Sequence, residues 1–397
     1  MKKVLFLGAG PLQVPALTKL KEAGAYLIVC DYYPQAVGMA LADKALDIST
    51  TDKERVLACA REYKPDYVLT STTDAPVQTV AYVCEKLGLP CGISYESAIC
   101  ATEKSAMRAR LEAHGVPIPK YFGCKNYEEF IGAVKFFAAE CVIKPADSAA
   151  SRGVELIRSG LSDAALKKHY DNTKAYSRNG IVMVEEHMRG DEVSAECFII
   201  DGNVHIIAIT DKMITELPYF VEIGHSEQSV LPAEIQREIR DTATQAIRAI
   251  GIRNGVSHTE LKITDSGVKV VEVAARLGGD YITSKLVPLS TGVDMVGNSI
   301  LQAIGEPVDI RHKFAKGSAI RFIYGHEGII DSISVDERIK RIPEMTDLEI
   351  YARSGDRIHD LHSSNDRLGH IIVQAATAQQ AKAAADRAMD CVHVKYA

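Results

Sequence analysis

Ser257-His-Thr-Glu260-Leu-Lys-Ile-Thr-Asp-Ser-Gly-Val-Lys-Val-Val-Glu272-Val-Ala-Ala-Arg276-Leu-Gly-Gly-Asp280 is the stretch from which the architecture is read. Apolar and β-branched residues dominate Ser257 to Ile263 and Val268 to Ala274, and Thr264-Asp-Ser-Gly267 between them is turn chemistry. The pattern predicts an antiparallel pair of strands. Glu260 and Glu272 then stand on neighbouring strands and can point at one spot, an oxygen-rich arrangement that suits Mg²⁺ bridging nucleotide phosphates. Arg276 adds a planar donor fork for a phosphate or carboxylate. The competing account is a set of exposed charges on an outer sheet face.

Working towards the N-terminus, Val182-Met-Val-Glu185-Glu186-His-Met188-Arg-Gly190-Asp-Glu192 reads as a strand ending in two carboxylates, with Glu192 opening the next strand. A charged turn between strands is its bland reading. Val142-Ile-Lys144-Pro-Ala-Asp-Ser148-Ala-Ala-Ser151-Arg-Gly153-Val carries a Lys from a strand into a loop of small residues. Such a loop lets backbone N–H groups approach phosphate oxygens beside an ammonium. A polar surface hairpin explains it as well, and no G-x-x-x-x-G-K-[ST] pattern is present.

The first hundred residues alternate strand and helix: Val4 to Leu7, the turn Gly8-Ala-Gly10, a helix through Leu20, then strands Tyr26 to Cys30 and Asp66 to Thr70. That alternation implies a parallel sheet covered on both faces. Asp74 is placed to cap the following helix, with Pro76 in its first turn and Gly88 past its end. Gly8 to Gln13 matches only the first half of a dinucleotide fingerprint, since Gln13 stands where a third Gly is needed; Asp31 follows at the spacing of a ribose ligand. Beyond residue 101 come a helix from Lys104 to His114, hairpin-type turns such as Asp201-Gly202, and a strand Val204 to Thr210. Lys212 is read as lying in a loop, from which Glu222 and His225 project after Pro218. Strands Ala319 to Tyr324 and His370 to Gln374 and a terminal helix from Ala378 to about Val392 complete the chain.

With 397 residues, two or three cores are expected. A net charge of -6 without a long basic run excludes a nonspecific nucleic-acid or membrane surface, leaving small molecules as partners. Nine scattered Cys without metal spacing read as buried small residues or free thiols, and the cytoplasm is the expected compartment. The apolar N-terminus is broken by Gly8, Gly10, Pro11 and Gln13, which argues against a secretory signal.

Taken in order, Lys104, Lys144 with its loop, Glu185 to Glu192, and then Glu260, Glu272 and Arg276 give the chain a resemblance to the ATP-grasp superfamily. The resemblance implies a Rossmann-like domain (1–100), a two-lobed α+β ATP-grasp domain (101–310, with a lid lobe over about 120–190) and a small C-terminal α+β domain (311–397). It implies ATP as cofactor with Mg²⁺ or Mn²⁺, and a carboxylate and an amine as substrates. Lys104 and Lys144 would hold phosphates under a lid of Ser148, Ser151 and Gly153. Glu185, Glu186 and Met188 would meet adenine, Glu192 the ribose, and Glu260 and Glu272 the metal. Arg276 would steady the transferred phosphoryl group.

Within the superfamily, His258-Thr-Glu260-Leu-Lys262 and the segment through Gly279 resemble the L-amino-acid (dipeptide) ligase group. The resemblance carries Glu222 and His225 into the substrate pocket, adds Asp74 on the substrate side, and gives Lys212 and His225 catalytic roles beside Arg276. Two departures stand out: Ala274 where many relatives carry Asn, and Ala149-Ala150 where many carry Gly. The alternatives are a purine-pathway ligase or carboxylase of the glycinamide ribonucleotide synthetase type, a nicotinamide-dependent oxidoreductase, and an ATP-binding module without turnover. A homodimer is compatible with the sequence.

Overall fold

The computed structural model describes residues 1–148, 152–215 and 220–397. Ser151 of the expected phosphate loop, and Pro218, lie outside the described residues. The architecture is mixed α/β and α+β, as the residue pattern requires.

The N-terminal sheet is parallel, in the order Lys44–Asp47, Tyr26–Asp31, Lys3–Leu7, Tyr67–Leu69. Strand Lys44–Asp47 has no counterpart in the sequence reading, because its residues are mostly exposed and show no apolar alternation. At the glycine turn the Asp31 carboxylate accepts the Ala9 N–H at 2.8 Å and the Tyr33 N–H at 2.9 Å. Asp31 therefore closes its own loop, which removes the ribose-ligand expectation.

The helix Val77–Leu87 ends at Gly88 in the left-handed region, but its N-cap is Pro76 and no side chain caps it. The capping expectation for Asp74 fails because its carboxylate is drawn to Arg276, 202 residues away, in a two-point contact of 2.8 and 2.9 Å. A charge-assisted fork outweighs one cap bond.

The largest sheet has eight strands in the order Gly267–Ala274, Gly255–Thr264, Glu192–Ile200, Asn203–Ile214, Glu222–Glu227, Gly317–Ile323, Gly369–Ala375, Met345–Ile350. It runs through both the central and the C-terminal part of the chain. The Asp201-Gly202 turn forms as expected, with both residues at positive φ (50° and 81°). Alternation along Glu192–Ile200 sends Val193, Ala195, Cys197 and Ile199 into a core closed by the amphipathic helix Ala233–Ile250, and leaves Glu192, Ser194 and Glu196 on the other face. A smaller antiparallel sheet, Tyr121–Cys124, Val182–Glu186, Glu140–Pro145, Glu155–Arg158, stands over that polar face. The terminal helix stops at Met389, and Val392–Tyr396 is a strand pairing with Gly328–Val335.

The chain passes between the two antiparallel sheets at Gly190, whose φ is 129°. A Cβ there would stand 1.8 Å from the Ile263 carbonyl oxygen. Gly190→Ala is expected to destabilise the fold by roughly 2–4 kcal/mol, measured as a lower urea midpoint; an unchanged midpoint would show that this crossing is not strained.

Candidate active site

Two register shifts build the site. Between Gly255–Thr264 and Gly267–Ala274, Glu260 faces Glu272 and Leu261 faces Val270, so Val271 is skipped and the two carboxylates are cross-strand neighbours. Between Asn203–Ile214 and Glu222–Glu227, Lys212 faces His225 while Ile214 faces Glu222. The skipped residue brings Glu222 and His225, three positions apart, to the same face as Lys212. Lys212, Glu222 and His225 are thus strand residues, not loop residues as expected. An apolar alternation was hidden because this face carries the polar residues of the site.

A cavity of about 190 Å³ opens between the two sheets. Its wall includes Lys104, Lys144, Ser148, Glu185, Glu186, Met188, Glu192, Glu222, Glu260, Glu272 and Arg276, eleven residues of the expected constellation. Gly153 is not in that wall. Lys212 and His225 are not in that wall either, their side chains being buried, and Asp74 belongs to an adjoining chamber that shares Lys104, Ser148 and Glu272 with the cavity.

The cations and carboxylates are paired with one another. Lys104 Nζ lies 3.0 Å from Glu272, and Lys144 Nζ lies 2.6 Å from Glu185. Lys212 Nζ sits among Glu260 at 2.5 Å, Glu192 at 3.2 Å and Glu222 at 3.6 Å. Burial disfavours every one of these charges, and the partners decide the outcome. For Lys104, Glu272 with Asp74 and Glu260 outweighs burial and raises its pKa. For Lys144, burial wins: Glu185 offsets it only in part while Arg108 and Lys104 push the same way, so its pKa falls. Glu185 is held at about 2, because Arg108 and Lys144 outweigh burial.

Glu186, which the resemblance carries to adenine, donates its N–H to the Lys120 carbonyl at 2.9 Å and takes Lys269 on its carboxylate at 3.0 Å. Arg276 was expected to present a free fork; the fork is taken by Asp74, and Nη1 donates to the Leu277 carbonyl.

Four contributors were missed. Arg108, one helical turn after Lys104 and fully buried, grips Glu185 through Nε (2.9 Å) and Nη2 (3.1 Å) and reaches the Val271 carbonyl. The Lys104/Arg108 spacing of four was the available signal. Lys262 lines the cavity and pairs with Glu192. His258, opposite Ala274, joins Glu196 (2.7 Å) to Glu260 (3.3 Å); burial lowers its pKa, but the two carboxylates raise it to about 9. Arg367, from the C-terminal part, donates to Asp280 and to the Glu222 carbonyl, both at 2.8 Å, and stacks 3.6 Å above the Phe322 ring; Asp280 also takes His225 Nε2 at 3.2 Å.

Residues 137–284 match the ATP-grasp domain, and residues 321–397 match the L-amino acid ligase C-terminal domain 2. Residues 137–284 of the chain thus form an ATP-grasp domain. Among curated relatives it is 27% identical to carnosine synthase 1 of Gallus gallus over 332 residues (77% of this chain, 35% of the relative). It is 28% identical to alanine–anticapsin ligase of Bacillus subtilis over 262 residues (61% and 54%). The match thus spans about half, or less, of these two relatives. The solved L-amino acid ligase from Bacillus licheniformis superposes with a TM-score of 0.83 at 20% identity, covering 100% of this chain and 99% of that one. Among the described residues, no helix is long and apolar enough to cross a membrane.

Below the site, Glu227 is fully buried, accepts from Thr210 (2.7 Å) and Ser290 (3.0 Å), and has no cation among its recorded partners in the described residues. Burial pushes its carboxyl from 4.5 to about 8, against the Thr210 bond and with help from Glu196. Above pH 4.5 the unfolded chain releases this proton while the folded chain keeps it to about 8, so stability falls as pH rises across that window. Glu227→Gln, neutral at all pH, should flatten that fall in urea midpoints read from pH 5 to 8. An unchanged slope would show that Glu227 is ionised in the folded protein.

Proposed function

We propose that this chain is an ATP-dependent carboxylate–amine ligase acting on small molecules in the cytoplasm. The observation that carries the reading is the facing pair Glu260 and Glu272, open to one cavity together with Lys104, Lys144 and Arg276. A carboxylate attacking a terminal phosphoryl group brings two anions together, and such a site must hold cations where the charge develops. Three cations above two hard carboxylates are that arrangement.

The residues also fit a divalent cation. Among the described residues no group of three or more His, Cys, Asp and Glu converges as a cage. Two carboxylates with room for phosphate oxygens suit Mg²⁺, which rarely takes an all-protein shell. Glu260 and Glu272 would hold it, and it would supply charge neutralisation at the phosphates.

Lys104 and Lys144 bind phosphate oxygens, Met188 and the neighbouring strand end pack on the base, and Glu192 accepts from ribose hydroxyls. The acid's oxygen attacks the terminal phosphorus and ADP leaves. The amine nitrogen then attacks the acyl carbon, its proton passes to a base, and phosphate leaves. Glu222, in the cavity wall, would meet the ammonium of an amino-acid-like substrate, and His225, buried and bonded through Nε2 to Asp280, would act from behind that wall as the residue that orders the substrate side.

Turnover should release ADP and phosphate in equal amounts; stoichiometric AMP would overturn the reading. Glu260→Gln and Glu272→Gln should each lower turnover by about a hundredfold or more with the fold retained by circular dichroism, whereas Lys144→Ala should chiefly raise the ATP Kd. Near-normal turnover of either Gln variant at saturating Mg²⁺ would remove that carboxylate from the metal site.

On the substrate side, His225→Ala should lower kcat/KM for acid or amine and leave the KM for ATP within about twofold. Steady-state kinetics with each substrate varied in turn reads this. A defect confined to ATP would take His225 out of the substrate site.

A further inference from the structure

The turn Gly8-Ala-Gly10 with Gln13, half of a dinucleotide fingerprint, has no part in the site described above. Its backbone donors are turned inward: the N–H groups of Gly8, Ala9 and Gln13 go to the Cys30 carbonyl at 2.9 Å, the Asp31 carboxylate at 2.8 Å and the Gly10 carbonyl at 3.0 Å. Where a dinucleotide fold brings a pyrophosphate against the second glycine, this chain brings one of its own side chains. A Cβ on Gly10 would stand 2.9 Å from Gln13 Oε1.

The buried Gln13 uses both protons of its amide on one loop: Nε2 donates to Thr72 Oγ1 at 2.8 Å and to Thr73 Oγ1 at 2.5 Å. Thr72 in turn donates to the Leu12 carbonyl at 3.3 Å, so turn and loop hold each other from both sides. Asp74, the next residue of the loop, takes the Arg276 fork at 2.8 and 2.9 Å, and Ser71, before the two threonines, accepts the Leu277 N–H at 3.0 Å. Residues 71–74 therefore grip Arg276 and Leu277 at two points, and Gln13 holds the middle of that grip. Of the five N–H groups on the Arg276 guanidinium, Asp74 takes two and the Leu277 carbonyl one. No further acceptor meets it among the described residues, so two N–H groups remain, one on each terminal nitrogen, on a residue that lines the nucleotide cavity.

We propose that Gln13 is a positioning residue for Arg276. The glycine turn seats the Gln13 amide, the amide fixes Thr72 and Thr73, and Asp74 at the end of that loop sets the plane of the guanidinium so that its two remaining N–H groups meet terminal phosphate oxygens. Gly10 belongs to the device, since a Cβ there would press on the amide. The inference rests on the reading of the cavity as a nucleotide site, and goes beyond it by giving the N-terminal sheet a part in orienting the transferred phosphoryl group. An Arg side chain free to rotate offers the same charge without a fixed fork. What Gln13 protects is therefore the contact to the terminal phosphate, not the affinity for nucleotide at large.

The test is calorimetric titration of the full chain, in Mg²⁺, with ADP and with β,γ-imido-ATP, which adds a terminal phosphate that is not transferred. Arg276→Gln sets the full size of the terminal-phosphate contact. Gln13→Met keeps the length of the side chain and removes its donors; it should raise the Kd for the imido nucleotide by about three- to tenfold and leave the Kd for ADP within about twofold. Thr72→Val, which removes an acceptor of the same amide, should act in the same direction and carries the test if Gln13→Met does not fold. In the Arg276→Gln background Gln13→Met should change neither Kd, because a residue that acts through Arg276 has nothing left to orient. A merely structural Gln13 gives equal losses for both nucleotides, or a loss of the same size with and without Arg276, and either pattern overturns the proposal. So does an imido-nucleotide Kd unchanged in Gln13→Met and Thr72→Val. If Arg276→Gln itself leaves the two Kd values in their wild-type ratio, the placing of Arg276 at the terminal phosphate has failed and the proposal falls with it; if Arg276→Gln shifts the ratio and the Gln13 and Thr72 variants do not, the proposal fails alone.

Discussion

The Lys212 side chain, 2% exposed and with its ammonium within 3.6 Å of three carboxylates, is the group on which the polar face of the eight-stranded sheet depends. Glu192, Glu222 and Glu260 come from three different strands, and without a buried cation between them their repulsion would open the sheet where it must stay flat. Around this hub the remaining charges pair outward: Lys262 with Glu192, His258 with Glu260, Arg367 with the Glu222 strand. The arrangement also prepares the proposed chemistry. Phosphate oxygens entering the cavity compete with Glu272 for Lys104 and with Glu185 for Lys144, so each phosphate contact frees carboxylate charge for a cation. Lys144 gives up its partner more cheaply than Lys104, because Arg108 keeps Glu185 satisfied from the other side.

The sequence was most legible where one physical period dominates. Strand Glu192–Ile200 alternates core and site residues, the Thr264 to Gly267 turn closes where turn chemistry stands, and the order of Lys and Glu along the chain carried the superfamily resemblance before any contact was known. It was least legible where a polar residue's partner lies far along the chain. Asp74 sits at a helix start, and local rules make it a cap; only the folded chain brings Arg276 to it. Arg108, Glu196 and Arg367 look like surface charges in sequence, and their burial follows from partners 77, 62 and 87 residues away. Lys212 and Glu222 were misplaced for a related reason: bulged pairing is invisible to a strict period of two.

One short segment ties the parts together. Arg276 reaches back to Asp74 in the N-terminal part, Leu277 donates to Ser71 there, and Asp280 takes Arg367 from the C-terminal part and His225 from the central sheet. Gly278 passes so close to the Glu196 and His258 pair that a Cβ would stand 2.8 Å from Glu196 Oε2, so any larger residue would have to displace that pair. Asp280 and Tyr281 follow in the left-handed region at φ of 52° and 60°, conformations that cost energy for residues with side chains. The surroundings hold them there: Asp280 by two partners, Tyr281 by stacking 4.4 Å from the buried His370 ring. The two strained residues thus sit where contacts from the N-terminal part, the central sheet and the C-terminal part meet, and Asp280 joins Arg367 to His225. The C-terminal part also meets His225 directly, because Gly317–Ile323 pairs with Glu222–Glu227 and sets Ile320 opposite His225.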